Sequence, residues 1–214
     1  MAKVTSGPYV GFSGSIDGNT YSQMKDGTTI VKRKNRKSTK PRTAAQKAHS
    51  ADLKLASKFM KPFTEFARTG YKLHGNLINQ NPYNAMKSQL MNEAIEGMGS
   101  DRKVNMSKLL ISKGTLPSAA ETSAIMTQEG LSFSWSTELI PERSHHSDQV
   151  LMFAVFRDIS IARYVVAGAQ RFKGNDLLLL AGIKKGTSAD VYISFIANDH
   201  TAIADSIYLG QFNW

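Results

Sequence analysis

Cysteine is absent from the sequence. That excludes a disulfide framework, a thiolate metal site and a cysteine nucleophile. Long apolar runs are missing too. The longest, around Leu177–Ala181, is far too short to span a bilayer. The opening Met-Ala-Lys-Val-Thr-Ser-Gly-Pro has no apolar stretch of signal-peptide type. These absences point to a protein that is cytoplasmic on synthesis and does not insert into a membrane. Release from a cell would then go by lysis, inside an assembly such as a virion, or by a route that this sequence does not encode.

Acidic residues are scarce in the first third. Residues 1–75 hold 15 Lys and Arg against 4 Asp and Glu, whereas the rest of the 214-residue chain holds 12 against 13. Almost all of the net charge of +10 therefore belongs to one end. Such asymmetry assigns an electrostatic task to that end and a different task to the remainder.

The first segment reads as a β-hairpin or small meander over residues 9–34. Asp17-Gly18-Asn19 and Asp26-Gly27 supply the turns, because glycine accepts positive φ cheaply. A lone hairpin is marginal in water and needs a surface to pack on. A basic run follows: Lys32, Arg33, Lys34, Arg36, Lys37, Lys40 and Arg42, with no acid, no apolar side chain and no aromatic ring. It cannot contribute to a core. Thr43 and Gln46 then form a capping-box pattern that starts a helix. Ala48, Ala51, Leu55, Phe59, Phe63 and Phe66 form its expected buried stripe, and Lys47, Lys54 and Lys58 run beside it. Pro62 should interrupt this helix and Gly70 end it. A second helix is expected from Pro82 to about Met98, capped by Asn81.

From about Asn105 the apolar spacing changes to period two. Strands are expected at Met106–Ser112, Ser123–Thr127, Leu131–Thr137, Gln149–Arg157, Ala162–Gln170, Asp176–Ala181, Asp190–Asn198 and Ser206–Phe212. Leu131, Phe133 and Trp135 should point inward, as should Val191, Ile193, Phe195 and Ala197. Short strands at this spacing indicate a sandwich. The fold class is α+β, mainly β: an N-terminal β-hairpin and helical segment over residues 1–104, then an antiparallel Ig-like β-sandwich over 105–214.

Two resemblances follow from particular residues. Trp135 on an early strand and Tyr192-Ile-Ser-Phe-Ile-Ala-Asn198 on a late one resemble an immunoglobulin-like or fibronectin-type-III-like domain. Such domains are usually adhesive or spacing modules, although fold does not fix function. Gly11-Phe-Ser-Gly-Ser-Ile-Asp-Gly-Asn-Thr-Tyr21, Lys40-Pro-Arg-Thr-Ala-Ala-Gln46, Ser112-Lys-Gly-Thr-Leu-Pro117 and Tyr208-Leu-Gly210 carry the second. On these pieces the whole chain is similar to an uncharacterised domain family found mainly in Bacteroidota. That resemblance implies no activity, cofactor or catalytic residue. The glycine-rich hairpin followed by a Pro-x-Thr-x-x-Gln helix start is also similar to small structural proteins of tailed phages.

No catalytic constellation emerges. His145 and His146 are adjacent in a polar stretch, where neighbours diverge and metal ligation needs more converging donors. Gly11-x-x-Gly14 and Gly182-x-x-x-Gly186 lack the phosphate-loop context. Asp199 and Asp205 flank a turn. The basic residues remain: Lys32, Arg33, Lys34, Arg36, Lys37, Lys40, Arg42, Lys47, Lys54 and Lys58. Their pattern suits non-specific contact with nucleic-acid phosphates, an acidic protein or a neighbouring subunit. The expectation is a non-enzymatic structural or interaction protein, without cofactor or metal, as a phage or prophage virion component or in another assembly. The alternative is a nucleic-acid-binding protein acting through the basic arm.

Overall fold

The computed structural model describes residues 2–24, 26–35, 39–140 and 143–214. The chain falls into two compact units, Met1–Thr43 and Ala44–Trp214.

The first unit is one antiparallel sheet. Strands β1 (Ala2–Val4), β2 (Gly14–Ile16), β3 (Asn19–Gln23) and β4 (Thr29–Arg33) lie in the order β1-β4-β3-β2. The meander over β2, β3 and β4 follows the turns in the sequence. Asp17 and Gly18 both take left-handed φ, 49° and 74°, as a tight primed hairpin turn requires. Strand β1 is an addition; Ala-Lys-Val is too short to show any period. The loop before β2 carries Tyr9 and Phe12 onto Tyr21, with ring centroids 5.3 and 5.5 Å from it. The Gly11 amide donates to Thr29 Oγ1 at 2.7 Å. Thr29 is the one buried residue among those described in this unit.

The second unit starts with helices. α1 (Ala44–Met60) begins directly after Thr43, a 3-10 turn at Lys61–Phe63 marks Pro62, and α2 (Thr64–Gly70) follows. The proline interrupts the helix as its missing donor and its ring demand. A short α3 (Lys72–Leu77) leads to α4 (Pro82–Gln89), where Asn81 Oδ1 accepts the Tyr83 amide at 3.0 Å. α4 ends earlier than its apolar spacing suggests. It passes through a π turn at Leu90–Ala94 into the paired β5 (Ile95–Glu96) and β6 (Lys103–Val104), and Met98 stays exposed. The Asn105 amide donates back to the Ala94 carbonyl at 2.7 Å, which closes the excursion.

Seven strands complete the unit: β7 (Ser123–Met126), β8 (Gly130–Ser134), β9 (Gln149–Phe156), β10 (Ile161–Val165), β11 (Asn175–Leu179), β12 (Ser188–Ile196) and β13 (Ile207–Asn213). They form two antiparallel sheets, β11-β8-β7 and β10-β9-β12-β13. The fold is thus α+β and mainly β, with a sandwich-like pair of sheets. Leu131, Phe133, Trp135, Val191, Ile193 and Phe195 all point into the core between them. Gly130 shows how close β8 and β11 run. A Cβ there would lie 2.1 Å from the Leu178 carbonyl oxygen.

The four-stranded sheet is covered on both faces. Val150, Met152, Ala154 and Phe156 of β9 face the other sheet, while Leu151, Phe153 and Val155 face the helices. Phe63 and Phe66 meet Phe153 at centroid distances of 5.1 and 4.8 Å. The helices therefore share a core with the sheet and fall on its side of the division at Thr43, where the sequence reading grouped them with the hairpin up to residue 104. The buried stripe also differs from the expected one. Ala56, Met60, Phe63, Phe66 and Ala67 are buried, Ala48, Leu55 and Phe59 are half-buried, and Ala51 is exposed. Only the last turns of α1 reach the sheet.

Met106–Ser112 is not a strand. It is a 3-10 turn over Met106–Lys108 followed by extended chain. Met106, Leu109 and Ile111 are buried, which produces the strand-like spacing. Side chains, not a ladder, meet much of its backbone. Tyr192 Oη donates to the Met106 carbonyl at 2.6 Å, and Tyr71 Oη to that of Leu110 at 3.1 Å. Gln89 Nε2 donates to the Lys108 carbonyl, and Ser206 Oγ accepts the Ile111 amide. Buried backbone groups need partners, and here tertiary neighbours supply them.

One buried ion pair secures an end of the sandwich. Arg171 and Asp148 are 1% and 2% exposed. Arg171 Nε lies 3.3 Å from Asp148 Oδ2 without hydrogen-bond alignment, and Nη2 donates to the Pro117 carbonyl at 2.8 Å. The guanidinium sits 4.4 Å from the Phe195 ring centre, and Trp135 Nε1 donates to the Arg171 carbonyl. Burial pulls the Arg171 pKa down, and Asp148 opposes that pull.

Arg171→Met leaves the Asp148 carboxylate buried without its cation, at a cost of about 3–5 kcal/mol. Adding Asp148→Leu should restore most of the loss, and urea unfolding of the three variants reads the difference. The tyrosines give a pH test. Burial raises the Tyr71 and Tyr192 hydroxyls well above their ordinary 10.0, and burial followed by the bond to Asp190 pushes Tyr208 up to about 12. Above pH 10 the unfolded chain loses these protons while the folded chain keeps them, so stability falls as pH rises. An ultraviolet titration should find Tyr71 and Tyr192 silent until circular dichroism reports unfolding.

Candidate functional site

The basic run starts inside the first unit's sheet. Lys32 and Arg33 are the last residues of β4, opposite Thr20 and Asn19 of β3. Alternation sends them to opposite faces. Lys32 shares a face with Ile30 and Lys3, and Arg33 shares one with Val31 and Tyr21. The Lys34 amide donates to the Gly18 carbonyl at 2.7 Å, which ties the run to the β2–β3 turn. Lys32, Arg33, Lys34, Lys40 and Arg42 are all exposed. Arg36 and Lys37 lie outside the described residues. The unit holds 9 Lys and Arg against 2 Asp and Glu. Among the described residues, Lys3 and Lys32 are thus on one side of the sheet and Arg33 on the other.

Lys47, Lys54 and Lys58 belong to the second unit. On α1 they fall within about 40° of one another around the axis and span roughly 16 Å. All three are exposed, and none is paired with a carboxylate among the described residues. The stripe borders the half-buried Leu55 and Phe59, as its position in the sequence suggests.

Lys58 differs from the other two in lining a cleft of about 280 Å³, together with Arg102, Lys103 and Arg157. Those three cations were not singled out in the sequence. They come from β6, its approach, and the end of β9, and nothing in their local spacing reveals that they converge. Arg102 Nε pairs with Asp52 of α1. Arg157 Nε pairs at 2.7 Å with Asp190, which is 2% exposed and also accepts Tyr208 Oη at 2.8 Å.

The remaining candidates occupy turns and loops. The His145 and His146 rings lie 4.1 Å apart, and His145 Nδ1 is 2.7 Å from Ser147 Oγ. Among the described residues no group of three His, Asp or Glu is placed to hold a metal ion. Asp199 Oδ1 accepts the Thr201 hydroxyl and amide, which hold its carboxyl below the usual range. Asp205 Oδ1 accepts the Gly114 amide. Gly11–Gly14 leads into β2 and Gly182–Gly186 toward β12, so neither glycine pair opens a helix. Among the described residues no helix is long and apolar enough to cross a membrane.

No curated protein and no solved structure is significantly similar to the chain. A family model matches residues 11–210, from the β2–β3 hairpin to the β12–β13 pair, and on that match the chain belongs to the family of unknown function DUF6266.

Proposed function

We propose that this is a non-enzymatic structural or interaction protein whose first unit engages a partner in an assembly. One observation carries the reading. The first unit has a full four-stranded sheet but only Thr29 buried among its described residues. A sheet of this size gains too little apolar burial to be stable by itself and needs a further surface. Its charge excess of seven favours an anionic surface, either an acidic protein or a neighbouring subunit. β1 and β2 are its edges, so strand addition is open to a partner chain. The second unit is the rigid body. Its strand order supports an immunoglobulin-like reading, with the first, second and fifth strands in one sheet and the third, fourth, sixth and seventh in the other. The concrete form we favour is a phage or prophage virion component, made in the cytoplasm of a Bacteroidota host.

The lysine stripe on α1 favours a second reading, nucleic-acid binding. Three cations in a row, with no carboxylate partner among the described residues, suit phosphate contacts that do not read sequence. The arm has no aromatic residue over Lys32–Arg42, so base stacking has no support there.

Two measurements separate these readings. Light scattering on the full chain should show self-association or a co-purifying particle, and loss of residues 1–43 should abolish it. A strict monomer that never co-purifies with a partner argues against the assembly reading. Retention of random duplex DNA should fall with salt by a slope of about 0.9 per phosphate contact if nucleic acid is the partner. Serine at Lys32, Arg33, Lys34, Arg36 and Lys37 should then reduce both retention and slope, and serine at Lys47, Lys54 and Lys58 tests the helix separately. No retention at low salt removes the second reading.

A further inference from the structure

The cleft beside Lys58 combines an apolar lining with a cationic rim. Its floor is apolar: Leu55 and Phe59 of α1, Pro62 of the following turn, Val104 of β6, and Val155 near the end of β9. Val104 and Val155 are themselves buried, so the floor belongs to the packed core. Its rim carries Lys58, Arg102, Lys103 and Arg157 and no carboxylate.

Two of those cations are already matched. Arg102 is held by Asp52, and Arg157 by the buried Asp190. Lys103 stands opposite Glu96 in the β5–β6 pair and acts on its carboxylate at a distance, but it shares that carboxylate with Lys108, which Glu96 Oε1 meets at 2.8 Å. Lys58 has no carboxylate partner among the described residues. The cleft therefore has one lysine without a carboxylate, Lys58, and a second, Lys103, whose carboxylate is shared with Lys108, beside apolar lining. A purely apolar ligand would leave the rim unused, and an inorganic anion would leave the floor wet. An apolar body with one acidic group satisfies both. The volume of about 280 Å³ suits a compact body, on the order of one fused ring pair, at the small end of ligand pockets.

We infer that this cleft is a binding site for a small amphipathic monoanion, an aromatic or short aliphatic carboxylate. The ring or chain lies on Phe59, Val104 and Val155, and the carboxylate accepts hydrogen bonds from the Lys58 and Lys103 ammonium groups. Arg102 and Arg157 keep their own carboxylates and shape the walls. All of these residues belong to the second unit, so the site does not depend on what the basic arm contacts.

The test uses the full chain with 2-naphthoate as probe and 2-naphthamide as its uncharged counterpart, by titration calorimetry. The expected result is one naphthoate per chain, bound at least roughly tenfold more tightly than the amide and weakened by salt. Lys58→Gln and Lys103→Gln should each reduce naphthoate affinity several-fold and leave the amide unchanged. Lys47→Gln, on the same stripe but outside the cleft, should have no effect. All three side chains are exposed, so unchanged thermal unfolding should accompany each substitution. Absence of naphthoate binding, equal binding of the amide, or equal loss with Lys47→Gln would each overturn the assignment.

Discussion

The side chains of β9 and β12 leave their strands on alternate sides and meet packed apolar groups on both. Phe153 illustrates the consequence. It touches Phe63, Phe66 and Tyr192 on the helical side, while its neighbours Met152 and Ala154 lie in the core between the sheets. A strand buried on both faces cannot slip by one residue without exchanging two cores. It also binds the helices into the sandwich unit, since the Phe63 and Phe66 rings both pack on Phe153. Removing such an aromatic anchor costs about 3–5 kcal/mol, a large share of a domain's stability.

Polar groups specify the parts of this unit that apolar packing leaves open. The chain from Met106 to Ser112 buries Met106, Leu109 and Ile111 without forming a strand, and Tyr71, Tyr192, Gln89 and Ser206 meet much of its backbone. Arg171 acts similarly at the sandwich end, where it joins Pro117, Asp148 and the Phe195 ring. Such contacts specify position more than they add stability, because desolvation consumes much of what a buried polar contact gains.

Charge follows a different logic in each unit. In the first, Lys32 and Arg33 take opposite faces of a sheet in which only Thr29 is buried among the described residues. In the second it is local. Asp52 and Asp190 neutralise Arg102 and Arg157, and Lys58 and Lys103 stand beside an apolar floor. A thin charged sheet is suited to broad contact, whereas a walled cleft is suited to one small group.

The sequence by itself determined the meander, the interruption at Pro62, the Asn81 cap and seven of the strands. Each of these depends on neighbours a few residues apart: a glycine at positive φ, a proline ring, an amide in reach of a side chain, a period of two. It also located the arm and the α1 lysine stripe, since a charge run and a helical spacing are local patterns. Met106–Ser112 was misread because buried residues at close intervals look alike in a strand and in a clamped interior segment; only the side-chain donors from Tyr71 and Tyr192 distinguish them. The tertiary structure alone decided that the helices share a core with the sheet and that the first half of α1 stays outside it. It alone brought Arg102, Lys103 and Arg157 to Lys58. Convergence of residues fifty or a hundred positions apart depends on how layers pack, and no local period records it.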